Sequence, residues 1–272
     1  KTLLDACSGS GAVSRYAAGL GYSVIANDLL QFSAVIVNGS VDLTEYQFEQ
    51  ANKEIERLNQ LDGIKGYFYL NFCEESAFPR LYFTVENAKL IDAVRSEITK
   101  ITDPKIHDYL LCSGLDAISK ANNTTGVQAA YLKKFQASSL KRLTLKEHPV
   151  INGKATVFSQ DILTLLNNPE FRLNFQEDIL YLDPPYNHRQ YGPNYHLYET
   201  FVRNDYPQAK GKTGLRDWKN ESSSSFCTSK KCFDFLKSIV ESTTAKDIFI
   251  SYNSDGLLKL EDFKKLSPNL KI

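Results

Sequence analysis

An apolar strand at residues 2–4 runs into Asp5-Ala6-Cys7-Ser8-Gly9-Ser10-Gly11, then a helical stretch over 13–18, then a second apolar strand at 22–28. That order constrains the fold more than any other feature of the chain. Two buried strands joined through a glycine turn and a helix do not make a hairpin; they pair in parallel across a crossover. Parallel sheets are covered by helices on both faces, so the fold class is α/β. Strand signals return at residues 155–158, 178–183 and 247–252, with a helix expected at 231–241.

Between the second and third of these strands the pattern changes. Residues 45–58, 87–101, 108–120 and 128–140 show helical spacing, while 67–69 and 81–84 read as short aromatic strands or extended pieces. Residues 206–225 form a long polar loop rich in Lys, Gly and Ser, expected to be mobile. The organisation that follows is a discontinuous sheet domain, residues 1–40 and 151–272, interrupted by a mainly helical insert, residues 41–150.

Composition narrows the function classes. With 272 residues and 42% hydrophobic side chains, the chain can bury an ample core, which excludes a disordered or low-complexity protein. No apolar run reaches transmembrane length, and five cysteines without framework spacing fit a reducing compartment, so a cytoplasmic location is expected. The four histidines are unclustered and Cys227 and Cys232 lie outside zinc-site spacing, so no metal is expected. There is no methionine, even at position 1, which predicts a chain drawn from a longer protein whose spacings are minimum values.

The formal net charge is zero, 32 basic against 32 acidic residues, but it is unevenly spread. Residues 42–121 hold 14 acidic and 9 basic side chains, whereas 203–231 hold 7 basic and 3 acidic, and 133–146 hold five basic and none acidic. Basic loops of this kind track phosphates, so neutrality does not exclude a nucleic-acid partner.

Two constellations carry chemistry. In the first, glycines after a buried strand let the backbone approach a ligand and turn into a helix whose N-terminus favours an anion. By itself this equally fits a tight strand-to-helix turn, and the full dinucleotide fingerprint is missing because Ser14 stands where Gly or Ala would. Asp28, ending the second strand, offers a carboxylate suited to ribose hydroxyls. The second is Asp183-Pro184-Pro185-Tyr186 at the end of a very apolar strand. Two prolines fix an extended turn and remove backbone donors, leaving carbonyls and a carboxylate as acceptors beside an aromatic face. Such a cluster suits a planar group bearing an NH2; the alternative is a rigid turn whose Asp caps the next segment.

Asp183-Pro184-Pro185-Tyr186, with Asp5-x-x-x-Gly9-x-Gly11 upstream, resembles the Dam-like group of DNA adenine-N6 methyltransferases, most closely its restriction-modification members. Asn27-Asp28, Asn123-Thr124-Thr125-Gly126, Asn187-His188-Arg189-Gln190-Tyr191 and Ser251-Tyr252-Asn253-Ser254 follow the family's pattern in its order. The resemblance implies a Rossmann-like class I methyltransferase sheet, with the insert as target-recognition domain. It implies S-adenosylmethionine as cofactor and double-stranded DNA as partner, with a cognate restriction endonuclease acting separately on the same site. Asp5, Cys7, Ser8, Gly9, Ser10, Gly11, Asp28, Asp161 and Asp183 would hold the cofactor. Most relatives have Phe, packed on the cofactor, where this chain has Cys7. Asp161 would contact the cofactor's adenine, the alternative being a helix cap, and Tyr195 and Tyr198 either line the adenosine pocket or pack in the core.

The implied catalytic group is Asp183, Pro184, Pro185 and Tyr186, acting on an adenine flipped out of the duplex. DNA-contact candidates are Arg189, Tyr191, Lys212 and Arg216. Other planar amines remain alternatives, namely RNA adenine, cytosine N4 or a glutamine amide. Asp183 argues against them, because Asn would mark the RNA and glutamine enzymes and Ser the cytosine enzymes. A DNA-binding module without activity is the remaining alternative; Gly9, Gly11, Asp28 and Asp183, whose loss would mark it, are all intact.

Overall fold

The computed structural model describes residues 1–266. Its sheet strands are β1 (Thr2–Asp5), β2 (Ser23–Asp28), β3 (Lys154–Ser159), β4 (Ile179–Leu182) and β5 (Asp247–Ile250). They form one sheet in the order β3-β2-β1-β4-β5, and every pairing is parallel. The expected α/β fold is therefore the observed one.

The chain divides into two compact units. The first comprises Lys1–Val37, Gly153–Tyr191 and the chain from Ser222 onward, and it contains the whole sheet. Its core is built from the inward residues of the central strands, Leu4, Ile25, Leu180 and Leu182, packed with Ile162, Leu165, Phe226, Leu236 and Ile239 from flanking helices and turns. Helix α1 (Ala12–Gly19) follows the glycine turn, and α2 (Gln31–Ser40) begins soon after β2.

The second unit comprises Asn38–Asn152 and Gly192–Glu221. Residues 192–221, expected with the sheet, pack instead with the helical unit. Its main helices are α3 (Glu45–Asn59), α4 (Tyr67–Phe72), α5 (Val85–Ile98), α6 (Pro104–Ala121) and α7 (His196–Arg203). Local signals start several of them. Thr44 and Gln47 make a reciprocal capping box at α3, and Asp103 accepts from the N–H groups of Lys105 and Ile106 ahead of Pro104 in α6.

Three local readings are corrected. Residues 67–69 lie in helix α4 because the Asp92 carboxylate, on α5, accepts from the N–H groups of Gly66, Phe68 and Tyr69 at 2.8–3.0 Å. A cap supplied from 26 residues away overrides the aromatic strand signal. Residues 128–140 form no helix. Asn123 and Gln136 take over that segment's backbone, Asn123 donating to the carbonyls of Leu81 and Leu132 and Gln136 to those of Asn122 and Thr124. The 206–225 loop, expected to be mobile, is tied down in its second-unit part. Arg80 donates to the carbonyls of Lys212, Gly211 and Asn71, and Arg216 is buried in a carboxylate cluster.

Candidate active site

The chain runs outward from β1 through β2 to β3, then crosses back to β4 and β5 on the other side of β1. Neighbouring connections therefore diverge between β1 and β4, and ligands of open parallel sheets bind at such a switch point, beyond the carboxyl ends of the strands. All four strands from β3 to β4 finish on a carboxylate there. Asp5 and Asp28 are the last residues of β1 and β2, Asp183 follows β4 directly, and Asp161 lies two residues beyond β3.

The glycine turn is shaped for close approach. Gly9 and Gly11 both adopt left-handed conformations, with φ of 50° and 71°. The Gly9 N–H donates to Asp28 Oδ2 at 2.9 Å, and Asp28 Oδ1 accepts from Leu30 N–H at 2.9 Å. A Cβ at Gly9 would meet only the Cys7 carbonyl, at 3.9 Å, whereas one at Gly11 would strike Val37 Cγ2 at 2.9 Å. Gly11, the residue before helix α1, offers no side-chain cap, and the Asp5 carboxylate meets the helix's positive end instead by binding Ser14 in its first turn.

Asp5 is buried. Its Oδ2 accepts from the Ser14 hydroxyl at 2.6 Å, while Oδ1 is buried without a partner, as is the hydroxyl of Ser8. Burial pushes the Asp5 pKa up to about 6, against the Ser14 bond and with help from Asp28 and Asp183. Burial also raises Asp28, against the N–H bonds from Leu30 and Gly9. Cys7 lies within the field of all four carboxylates, and burial together with that field holds its thiol well above its ordinary range. The reactive thiolate form is therefore disfavoured there. A site with this much negative potential and orphaned acceptors is matched to a cationic ligand.

Beyond β4, Asp183 and Tyr186 are exposed and Pro184 is buried. The Tyr186 carbonyl accepts from Leu257 N–H at 2.8 Å and from the Tyr252 hydroxyl at 3.4 Å, which fixes the turn's far end.

Compared with known proteins, residues 1–255 match the model of the D12 class N6 adenine-specific DNA methyltransferases. The chain belongs to this family. It is 33% identical over 273 residues to the type II methyltransferase M.NlaIII of Neisseria lactamica, covering 98% of this chain and 79% of that protein. Identity to M.CviAII of Paramecium bursaria Chlorella virus 1 is 34% over 273 residues, covering 96% and 78%. With M.FokI of Planomicrobium okeanokoites it is 32% over 261 residues, but there the chain spans only 39% of the relative's length. No solved structure matches. The activity of the family is site-specific methylation of adenine N6 in DNA, and its members here are type II modification enzymes.

Within this D12 enzyme, Asp5, Cys7, Ser8, Gly9, Ser10, Gly11, Asp28, Asp161 and the Asp183–Tyr186 turn all come together in the sheet unit, at one edge of the sheet. Asp161 also caps a helix, accepting through Oδ1 from the N–H groups of Leu163 and Thr164. Arg189 and Lys212 are exposed, and Tyr191 is 39% exposed. Arg216 departs from expectation. It is 3% exposed and ion-paired with Asp205 at 2.6 Å and Glu221 at 2.8 Å, so its charge is neutralised inside the helical unit rather than offered by a solvated loop. Tyr195 and Tyr198 stack on each other, with ring centroids 6.1 Å apart.

Sequence reasoning missed the role of Ser14. The signal was present, because Ser14 was the residue that broke the dinucleotide fingerprint. Where a nucleotide-binding turn needs a small residue for close packing, this chain places a hydroxyl that holds Asp5.

Proposed function

We propose that this D12 enzyme uses S-adenosylmethionine to methylate a flipped-out adenine in duplex DNA, as the modification enzyme of a restriction-modification system in a bacterial-type cytoplasm. The observation that carries the reading is the row of carboxylates at the ends of four adjacent strands, beside the Asp183–Tyr186 turn. When bound, S-adenosylmethionine supplies an electrophilic methyl on a positively charged sulfur. The residues present fit it: Asp5 Oδ1 and the Ser8 hydroxyl are buried polar atoms without a partner, and Gly9 leaves open space in the turn that follows β1. Asp28 is the acceptor for ribose hydroxyls and Asp161 for the adenine amine, Cys7 contributing a small apolar contact. Ser10 and Gly11 bring backbone N–H groups towards the carboxylate end, near the start of α1.

The exocyclic amine of adenine is a weak nucleophile because its lone pair is delocalised into the ring. The Asp183 carboxylate and the Pro184 carbonyl accept hydrogen bonds from the two N6 hydrogens, which draws the lone pair onto nitrogen and aims it. Orientation of this kind supplies much of the acceleration, and acceptors fixed in advance supply electrostatic stabilisation. Pro184 and Pro185 hold the acceptors rigid, and the Tyr186 ring stacks on the base. No strong base is needed, because the nitrogen becomes acidic as the methyl is gained.

Reaching N6 requires taking the base out of the stack. Arg189, Tyr191 and Lys212 contact the DNA backbone and flanking bases, and the second unit carries target recognition. A cognate endonuclease acts on the same site without forming part of the enzyme.

Incubation with methyl-labelled S-adenosylmethionine and mixed unmethylated duplex DNA, followed by digestion to nucleosides, is expected to put label in N6-methyladenine alone. Label in cytosine, or transfer only to RNA, refutes the reading. Asp183→Ala is expected to abolish transfer while cofactor binding persists; full activity in that variant would remove Asp183 from the mechanism.

A further inference from the structure

The five residues that follow the catalytic turn, Asn187-His188-Arg189-Gln190-Tyr191, have been assigned no role beyond the outward-facing Arg189 and Tyr191. Their inward contacts converge on one short segment. Gln190 Nε2 donates to the Ser224 carbonyl at 3.1 Å, and its Oε1 accepts from Ser224 N–H at 2.7 Å. A side-chain amide thus makes the pair of bonds that a neighbouring strand would make. His188 Nδ1 lies 3.2 Å from the Cys227 carbonyl, and the Cys227 thiol donates to the Arg189 carbonyl at 3.2 Å. Within the loop, Arg189 N–H donates to Asn187 Oδ1 at 2.9 Å.

The platform on the other side is rigid. Phe226 is 3% exposed, packs edge-on against Phe235 with centroids 4.8 Å apart, and belongs to the core of the sheet unit. The chain leaves the sheet unit after Tyr191 and returns at Ser222. Gln190 and Ser224 therefore stand just inside the two crossings and clamp together the ends of a thirty-residue excursion, Gly192–Glu221.

We infer that Gln190 is a positioning residue: its pair of hydrogen bonds to Ser224 fixes the loop after Tyr186, and so the placement of the base-stacking ring and Arg189. The inference rests on the proposed role of the Asp183–Tyr186 turn. Both partners are only partly buried, so the clamp adds little to global stability, and its consequence is geometric. Displacement of a reacting group by about 1 Å can cost on the order of 100-fold in rate.

The test compares wild type with Gln190→Ala and with Gln190→Met, which keeps the length of the side chain but makes neither bond. The expected result is a fall in kcat of about 10- to 100-fold for both, with S-adenosylmethionine Kd and melting temperature unchanged and DNA KM altered much less than kcat. Unchanged kcat in both variants overturns the inference. So does a parallel loss of melting temperature and cofactor affinity, which would make Gln190 merely structural. Absence of N6-methyladenine with the wild-type enzyme would refute the proposed function itself, and that outcome is distinct from both.

Discussion

Gly9 and Gly11 lie two residues apart in one turn, both left-handed, yet their replacement by alanine is expected to damage different properties. At Gly9 the cost to folding is conformational alone, since a Cβ would meet nothing closer than 3.9 Å. A left-handed non-glycine residue costs about 1–2 kcal/mol. At Gly11 the same strain is joined by a clash of 2.9 Å with Val37 Cγ2 of α2. Overpacking of that kind adds about 1–3 kcal/mol. Gly11→Ala should therefore destabilise the protein by roughly 2–5 kcal/mol, and Gly9→Ala by no more than about 2. For a domain of this size each kcal/mol lowers Tm by about 2–4 °C. The ligand effect runs the other way, because the Gly9 methyl projects into open space in the turn whose N–H donates to Asp28 Oδ2. Thermal melts with and without S-adenosylmethionine, together with calorimetric titration, separate the two. Gly9→Ala should melt a few degrees below wild type and lose most of its ligand-induced stabilisation, whereas Gly11→Ala should melt lower still but keep it. If Gly9→Ala binds the cofactor normally, or Gly11→Ala melts with wild type, the assignment of this turn is wrong.

Asp5, with its pKa raised to about 6 from 3.8, makes the ligand-free protein less stable as pH rises through that window, because the folded state holds the proton longer than the unfolded one. Asp5→Asn should flatten this slope in denaturation measured from pH 4 to 7, raise ligand-free stability at pH 7, and weaken cofactor binding; an unchanged slope would contradict the burial argument. Cofactor affinity of the wild type should strengthen as pH rises through 6. Arg216→Ala should destabilise the helical unit by about 2–3 kcal/mol, below the full cost of breaking a buried pair because Asp205 and Glu221 are partly exposed. The same variant should leave the salt dependence of DNA affinity unchanged, which a binding series at several salt concentrations would check. Arg189→Ala and Lys212→Ala should each reduce that salt slope by about 0.9 for every phosphate no longer neutralised, with melting temperature preserved.

Local sequence pattern is enough to specify the sheet, the order of its motifs and the chemistry of its carboxyl edge. Strand, glycine turn and terminal carboxylate are local patterns, and a parallel sheet carries the ends of its strands to one edge whatever the intervening segments do. Asp28 and Asp183 were therefore legible as strand-end carboxylates, and Asp5 and Asp161 through the family resemblance. Features that depend on partners distant in sequence emerge only in the folded chain. Asp92 makes α4 a helix from another element, and Asn123 and Gln136 dissolve the helical pattern of residues 128–140. Asp205 and Glu221 bury the charge of Arg216, while Gln190 finds its partner beyond a thirty-residue excursion. The physical reason is common to all four. A buried backbone or charged group must be satisfied, and the choice of the group that satisfies it is made by three-dimensional proximity, to which the periodicity of a single segment is blind.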